Sequence, residues 1–175
     1  VMKGPFATDK EYAHWDEDGE YNPIYKTVPS TSHVSVWNFY PDPDATHMDE
    51  AQYVIERHKM SRTQLRSLKR RPYFREQVIE EAIEHGESYN KKYWEDDLSD
   101  YAPEHGIDRF EVLEYWGMCD VQMLEENGIE IPKDLKEFEE LQANIWICNG
   151  KLIRLVLNPF KPAKIPYMAA PYELN

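Results

Sequence analysis

The clearest hydrophobic pattern lies near the end of the chain. Apolar and β-branched residues fill 141–148 and 151–157, and only Asn149-Gly150 separates the two runs. Asn-Gly accepts positive φ at both central turn positions, so the spacing predicts a two-residue type I′ hairpin. Upstream, residues 108–116 alternate well enough for a half-exposed strand closed by Gly117. A short helix over 121–126 meets Asn127-Gly128. In the first half, His33-Val34-Ser35-Val36-Trp37-Asn38-Phe39-Tyr40 is dense in β-branched and aromatic residues and stops at Pro41-Asp42-Pro43-Asp44, which predicts a strand and a firm break. A second strand is expected over 52–58.

Helical spacing occupies the middle. Ser61-Arg62-Thr63-Gln64 fits a capping box, and Leu65 and Leu68 give the buried stripe of a short helix that must end before Pro72. From about Tyr73 to His85, Phe74, Val78, Ala82 and Ile83 recur at helical spacing, and Gly86 suits the C′ position. Residues 87–106 are charged and aromatic, with helical potential around 89–94. Residues 1–32 are polar, with Pro5, Pro23 and Pro29, and read as a loop with one strand near 24–28. From Asn158 onward, Pro159, Pro162, Pro166 and Pro171 require an extended, irregular course. The sum is one α+β domain: antiparallel strands and a hairpin around a central helical cluster, with 158–175 as a Pro-rich extended segment. The opening Val1-Met2-Lys3-Gly4-Pro5 and the uncapped end read as a piece of a longer chain.

Composition narrows the function. The 33 acidic and 20 basic side chains of this 175-residue chain give a net charge of −13, against a surface that coats nucleic acid throughout. Cys119 and Cys148 are too few for a disulfide framework or a Cys-based zinc site. No apolar run approaches membrane-spanning length. Phosphate-binding glycine loops, a nucleophile elbow and His-x-x-x-His pairs are all missing, and His14, His33, His47, His58, His85 and His105 are scattered. The expectation is a protein with no catalytic residues, cofactor or metal.

Two features carry alternatives. The loop from Asp42 to Glu50 is acidic, which would suit a metal-dependent, nuclease-like enzyme. As an EF-hand it fails, because counting from Asp42 the sixth and twelfth positions hold His47 and Tyr53. A turn in which Asp42 and Asp44 cap their own backbone is the plainer reading. The second feature is basic. Arg57, Lys59, Arg62, Arg66, Lys69, Arg70, Arg71 and Arg75 crowd into 57–75 with no acid among them, and Glu76, Glu80, Glu81, Glu84 and Glu87 follow. That strip reads as a charged protein–protein contact, as a DNA-binding module, or as a solvated helix face neutralised by the acidic helix beside it. With an acidic body, the protein contact is the expected use. Twelve Tyr, five Trp and six Phe fit interfaces as well as cores.

The order of segments adds a resemblance. Gly4-Pro5-Phe6, Pro29-Ser30, His33-Val34-Ser35-Val36-Trp37 and Tyr40-Pro41-Asp42-Pro43-Asp44-Ala45 come first. Met48-Asp49-Glu50-Ala51, Tyr53-Val54-Ile55-Glu56-Arg57, Met60-Ser61 and Leu65 follow. Then come Val112-Leu113-Glu114-Tyr115-Trp116-Gly117, Ala143-Asn144-Ile145-Trp146-Ile147, Arg154, Asn158-Pro159-Phe160, Ile165-Pro166-Tyr167 and Ala170-Pro171-Tyr172. In this order they resemble the portal proteins, or head-to-tail connectors, of tailed bacteriophages. The resemblance implies the outward wing region of a portal subunit. It implies a structural role in a ring, usually of twelve copies, at one capsid vertex, the conduit for genome packaging and ejection. Its implied partners are other portal subunits, capsid and scaffold proteins, the terminase, and head-completion and tail proteins. Its implied location is the virion, and the host cytoplasm during assembly. DNA would pass through the ring, but the family's channel loops are not recognisable here, so no DNA contact transfers. Nor does any catalytic residue.

Overall fold

The computed structural model describes residues 1–86 and 109–170. It is α+β, with two antiparallel sheets and short helices. Where the sequence reads as one domain, contacts divide the chain into two compact units, Val1–Trp37 with the segment from Pro166, and Asn38–Ile165. Each sheet pairs its strands within its own unit, which is why the chain divides there.

The first unit holds β1 (Met2–Tyr12), β2 (Ile24–His33) and the two-residue β8 (Tyr167–Met168), in the order β2-β1-β8. The strand expected near 24–28 is present as the first half of β2, and the loop expected over the rest of 1–32 is corrected by β1. The wholly irregular course expected after Asn158 is corrected by β8. The pairing of β1 with β8 covers only Met2 and Lys3, so from Phe6 to Tyr12 the two long strands form a bare ribbon. The ribbon continues past Tyr12 through a bridge between Trp15 and Tyr21, whose rings meet edge to face at 5.2 Å. Asp16 closes the tip, its Oδ1 accepting from the N–H groups of Asp18 and Glu20. At about 3.4 Å per residue the ribbon from Phe6 to Trp15 is about 30 Å long.

The second unit is built on the sheet β3-β4-β5-β6-β7, all antiparallel: β3 (Phe39–Pro41), β4 (Tyr53–Ser61), β5 (Arg109–Asp120), β6 (Glu140–Cys148) and β7 (Lys151–Leu157). The strand expected over 33–40 is instead the end of β2, a 3-10 turn at Val36–Asn38 and the short β3. Val36 and Trp37 are exposed there, so their side chains gain no burial from an extended course and local β-propensity is overridden. The hairpin appears as expected, with Asn149 at φ 52° and Gly150 at φ 70°. Asn149 Nδ2 also donates to the carbonyls of Ala82 and Gly86, which ties the turn to the end of a helix.

That helix is α2 (Glu76–Glu84), preceded by α1 (Arg62–Ser67) and a 3-10 turn at Leu68–Arg70. The capping box is present in full: Gln64 N–H donates to Ser61 Oγ at 3.3 Å, and Ser61 N–H donates to Gln64 Oε1 at 2.8 Å. The expected helix start at Tyr73 moves to Glu76, because Tyr73 takes φ 67° and Arg75 N–H donates to the Ile153 carbonyl on β7. Gly86, at φ 96°, sits one residue past the C-cap His85. Helical potential over 89–94 lies outside the described residues.

Strand alternation gives this sheet two buried faces. One carries Phe110, Val112, Trp146, Cys148 and Ile153 against Leu65, Leu68, Phe74, Ile79, Ala82 and Ile83 of the helical segment. The other carries Cys119, Ala143 and Leu155 against Leu124 and Ile131, supplied by α3 (Val121–Glu126) and the loop after it. Both buried faces explain why β5 runs on through Gly117, where the sequence reads a stop.

Candidate functional site

The basic residues of 57–75 do not form one strip. Arg57 sits on β4 nearly fully buried, and its Nε donates to Glu111 Oε2 at 2.6 Å. As a surface contact residue it is therefore corrected: alternation along β4 puts it on the sheet face opposite His58. Lys59 follows on that same face, whereas Arg62 to Arg71 belong to the helical segment that covers the other. Lys69 Nζ donates to Glu80 Oε1, and Arg66 Nε lies 3.5 Å from the same oxygen. The Lys69 hydrogen bond, with Arg66 beside it, holds Glu80 below the ordinary carboxylate value. Arg75 donates from its Nη2 to the Asn127 carbonyl at 2.8 Å. Lys59, Arg62, Arg66, Arg70 and Arg71 are the exposed cations of the set.

The acidic loop is a backbone cap. Asp42 is buried, and its two carboxylate oxygens accept from the N–H groups of Asp44 and Gln52 at 3.0 Å each. An aspartate whose oxygens are held by backbone donors fixes the loop's shape rather than presenting a ligand outward.

The structure gathers a group that the sequence did not show. Glu56 and His58 on β4, and Glu114 on β5, bring ligand-type atoms within 4.8 Å of one another. His58 Nε2 lies 2.7 Å from Glu114 Oε2, and its Nδ1 lies 3.6 Å from Glu56 Oε1. The other oxygen of Glu114 accepts from Trp116 Nε1 at 2.7 Å and from Asn144 Nδ2 at 3.4 Å. Asn144 in turn accepts from Trp146 Nε1 at 3.0 Å, and the Trp146 ring stacks on His58 at 4.9 Å. With its two nitrogens turned to two different carboxylates, His58 bridges a polar network inside the sheet. Among the described residues these three are the group that could hold a metal ion. A sequence clue exists: Glu114 falls at a core-phase position between Val112 and Trp116, and Glu56-x-His58 places both side chains on one strand face.

Burial pushes both thiols up, Cys119 and Cys148 each to about 11, so they stay neutral and pack as small apolar groups. An open cleft of about 380 Å³ lies beside β7, between Tyr73, Ile129, Arg154 and Pro159. Arg154, on its wall, stacks over Phe74 at 5.1 Å, and burial holds its guanidinium below the ordinary value.

The ribbon carries a run of exposed large side chains. Tyr12, Trp15, Tyr21, Ile24 and Tyr25 are all exposed there, Trp15 to 65% and Tyr25 to 63%. Tyr21 and Tyr25 donate their hydroxyls to the two oxygens of Glu11. That hydrogen bond raises the Tyr21 phenol, and the Glu11 charge raises that of Tyr25. Among the described residues no helix is long and apolar enough to cross a membrane. No protein-family model matches the chain, and no curated protein matches it.

Proposed function

We propose that this chain is a structural, assembly-forming part of a tailed-phage portal, the wing region of a subunit that closes into a ring at one capsid vertex. The observation that carries this reading is the bare β1–β2 ribbon. Two-stranded ribbons are marginal in water, and a 30 Å one that keeps five large aromatic or aliphatic side chains exposed is built to be covered by another surface. The ordered segments from Gly4-Pro5-Phe6 to Ala170-Pro171-Tyr172 supply the kind of assembly. In this role the chain does mechanical work: copies pack side by side, and the ring offers surfaces to capsid, scaffold, terminase and tail proteins while DNA passes through. The −13 charge suits a conduit that DNA must traverse without sticking. No catalytic role is proposed.

Antibodies raised against this chain test the placement. Gold-labelled, and applied to opened phage particles carrying this coding sequence, they should mark one vertex per particle. Labelling spread evenly over the capsid, or none at all, would overturn the portal reading.

A further inference from the structure

The two faces of the β1–β2 ribbon carry opposite charge. Register pairs Lys10 with Lys26 and Tyr12 with Ile24, which places these four side chains on one face. The Lys26 ammonium lies over the Tyr12 ring at 5.6 Å, as neighbours on one face should. Two like charges directly opposite on a ribbon destabilise it, and among the described residues neither lysine has an ion-pair partner. The other face pairs Asp9 with Thr27 and Glu11 with Tyr25. There Thr27 Oγ1 donates to Asp9 Oδ1 at 2.5 Å and Tyr25 Oη donates to Glu11 Oε2 at 3.2 Å, so the hydroxyls fix the carboxylates without neutralising them. All of these side chains are exposed. One molecule thus displays, back to back on one thin ribbon, a cationic-apolar face and an anionic-phenolic face of matching size.

We propose that the ribbon is a contact between successive copies of this chain, packed face to back. The Lys10/Lys26 face of one copy covers the Asp9/Glu11 face of the next. Charge complementarity selects a second copy as the occupant, because each face is the counterpart of the other. Pairing at the β2 edge is disfavoured by β2 itself, since Pro29 has no N–H to offer and Lys26 guards that strand, while the opposed charges lie on the ribbon's faces and favour packing there. The contact joins two different surfaces, so it is heterologous and propagates until it closes into a ring or runs on as a filament. The inference deepens the portal reading by naming the surface through which neighbours meet.

A charge swap tests it by sedimentation velocity on the whole chain at low salt. The wild-type protein should self-associate with rising concentration and dissociate as salt is added. Lys10→Glu with Lys26→Glu makes both faces acidic, and Asp9→Lys with Glu11→Lys makes both basic. Each double variant alone should lose about tenfold or more in self-association. An equimolar mixture should recover it, because every contact in an alternating array is then complementary. Circular dichroism identical to wild type establishes that the exposed substitutions leave the fold intact. A monomeric wild type, double variants that associate as wild type does, or a mixture that fails to recover would each overturn the ribbon contact. The ring is read separately by electron microscopy. Rings that form equally well from either double variant sink the contact and leave the portal reading standing. Salt-sensitive, swap-rescued association without closed rings does the reverse.

Discussion

Glu114→Ala should destabilise the Asn38–Ile165 unit by about 3–5 kcal/mol, the cost of removing the central acceptor from a buried polar network. The carboxylate is 2% exposed and accepts from the indole of Trp116 and the amide of Asn144, themselves 5% and 0% exposed, and it faces His58 at 2.7 Å. Alanine offers none of these groups an acceptor, so several desolvated donors lose their partner together. For a domain of this size the thermal midpoint should fall by roughly 10 °C. Glu114→Gln, which keeps an acceptor oxygen, should lose markedly less. Trp116 and Trp146 report the unfolding by fluorescence. An alanine variant within about 1 kcal/mol of wild type would show that the network does not hold the sheet together.

Gly117→Ala is expected to cost about 3 kcal/mol, at the upper end of ordinary overpacking. A Cβ built at this position would lie 2.6 Å from Tyr53 Cβ and 2.7 Å from the Gln52 carbonyl oxygen, atoms that cannot swing aside. It would also lie 2.6 Å from the hydroxyl of Tyr115, which donates to the Met118 carbonyl at 2.7 Å. Tyr53 and Tyr115 stack at 6.0 Å, so residue 117 is the flat place in β5 that lets two tyrosines share one face. Urea denaturation monitored by tyrosine and tryptophan emission measures the loss. A variant as stable as wild type would mean that β4 and β5 separate locally at no cost.

What could be read from the sequence was chemistry confined to a few neighbouring residues. Asn149-Gly150 names its own turn, Ser61 and Gln64 name their own cap, and the helix at Val121–Glu126 ends at Asn127-Gly128 as expected. Of the ribbon only the strand near 24–28 was legible; β1 was hidden because both ribbon faces meet solvent, and without one buried face there is no apolar alternation to find. The Glu56–His58–Glu114 network was hidden because it joins strands whose members lie 56 residues apart and matches no contiguous motif. The basic run was countable in the sequence, but its geometry was not. Alternation buries Arg57 against Glu111, and Glu80 takes up Lys69 and Arg66. Five of those cations stay exposed, and the contact proposed above lies instead on a ribbon of which the sequence predicts only the strand near 24–28.

The most direct measurement is electron microscopy of the purified protein in its complete reading frame, combined with native mass spectrometry for the copy number. A portal subunit gives closed rings of one fixed size, about twelve copies by the resemblance to phage connectors, that loosen when the ribbon charges are reversed. A protein that stays monomeric at every concentration, or forms only open chains of variable length, would contradict it.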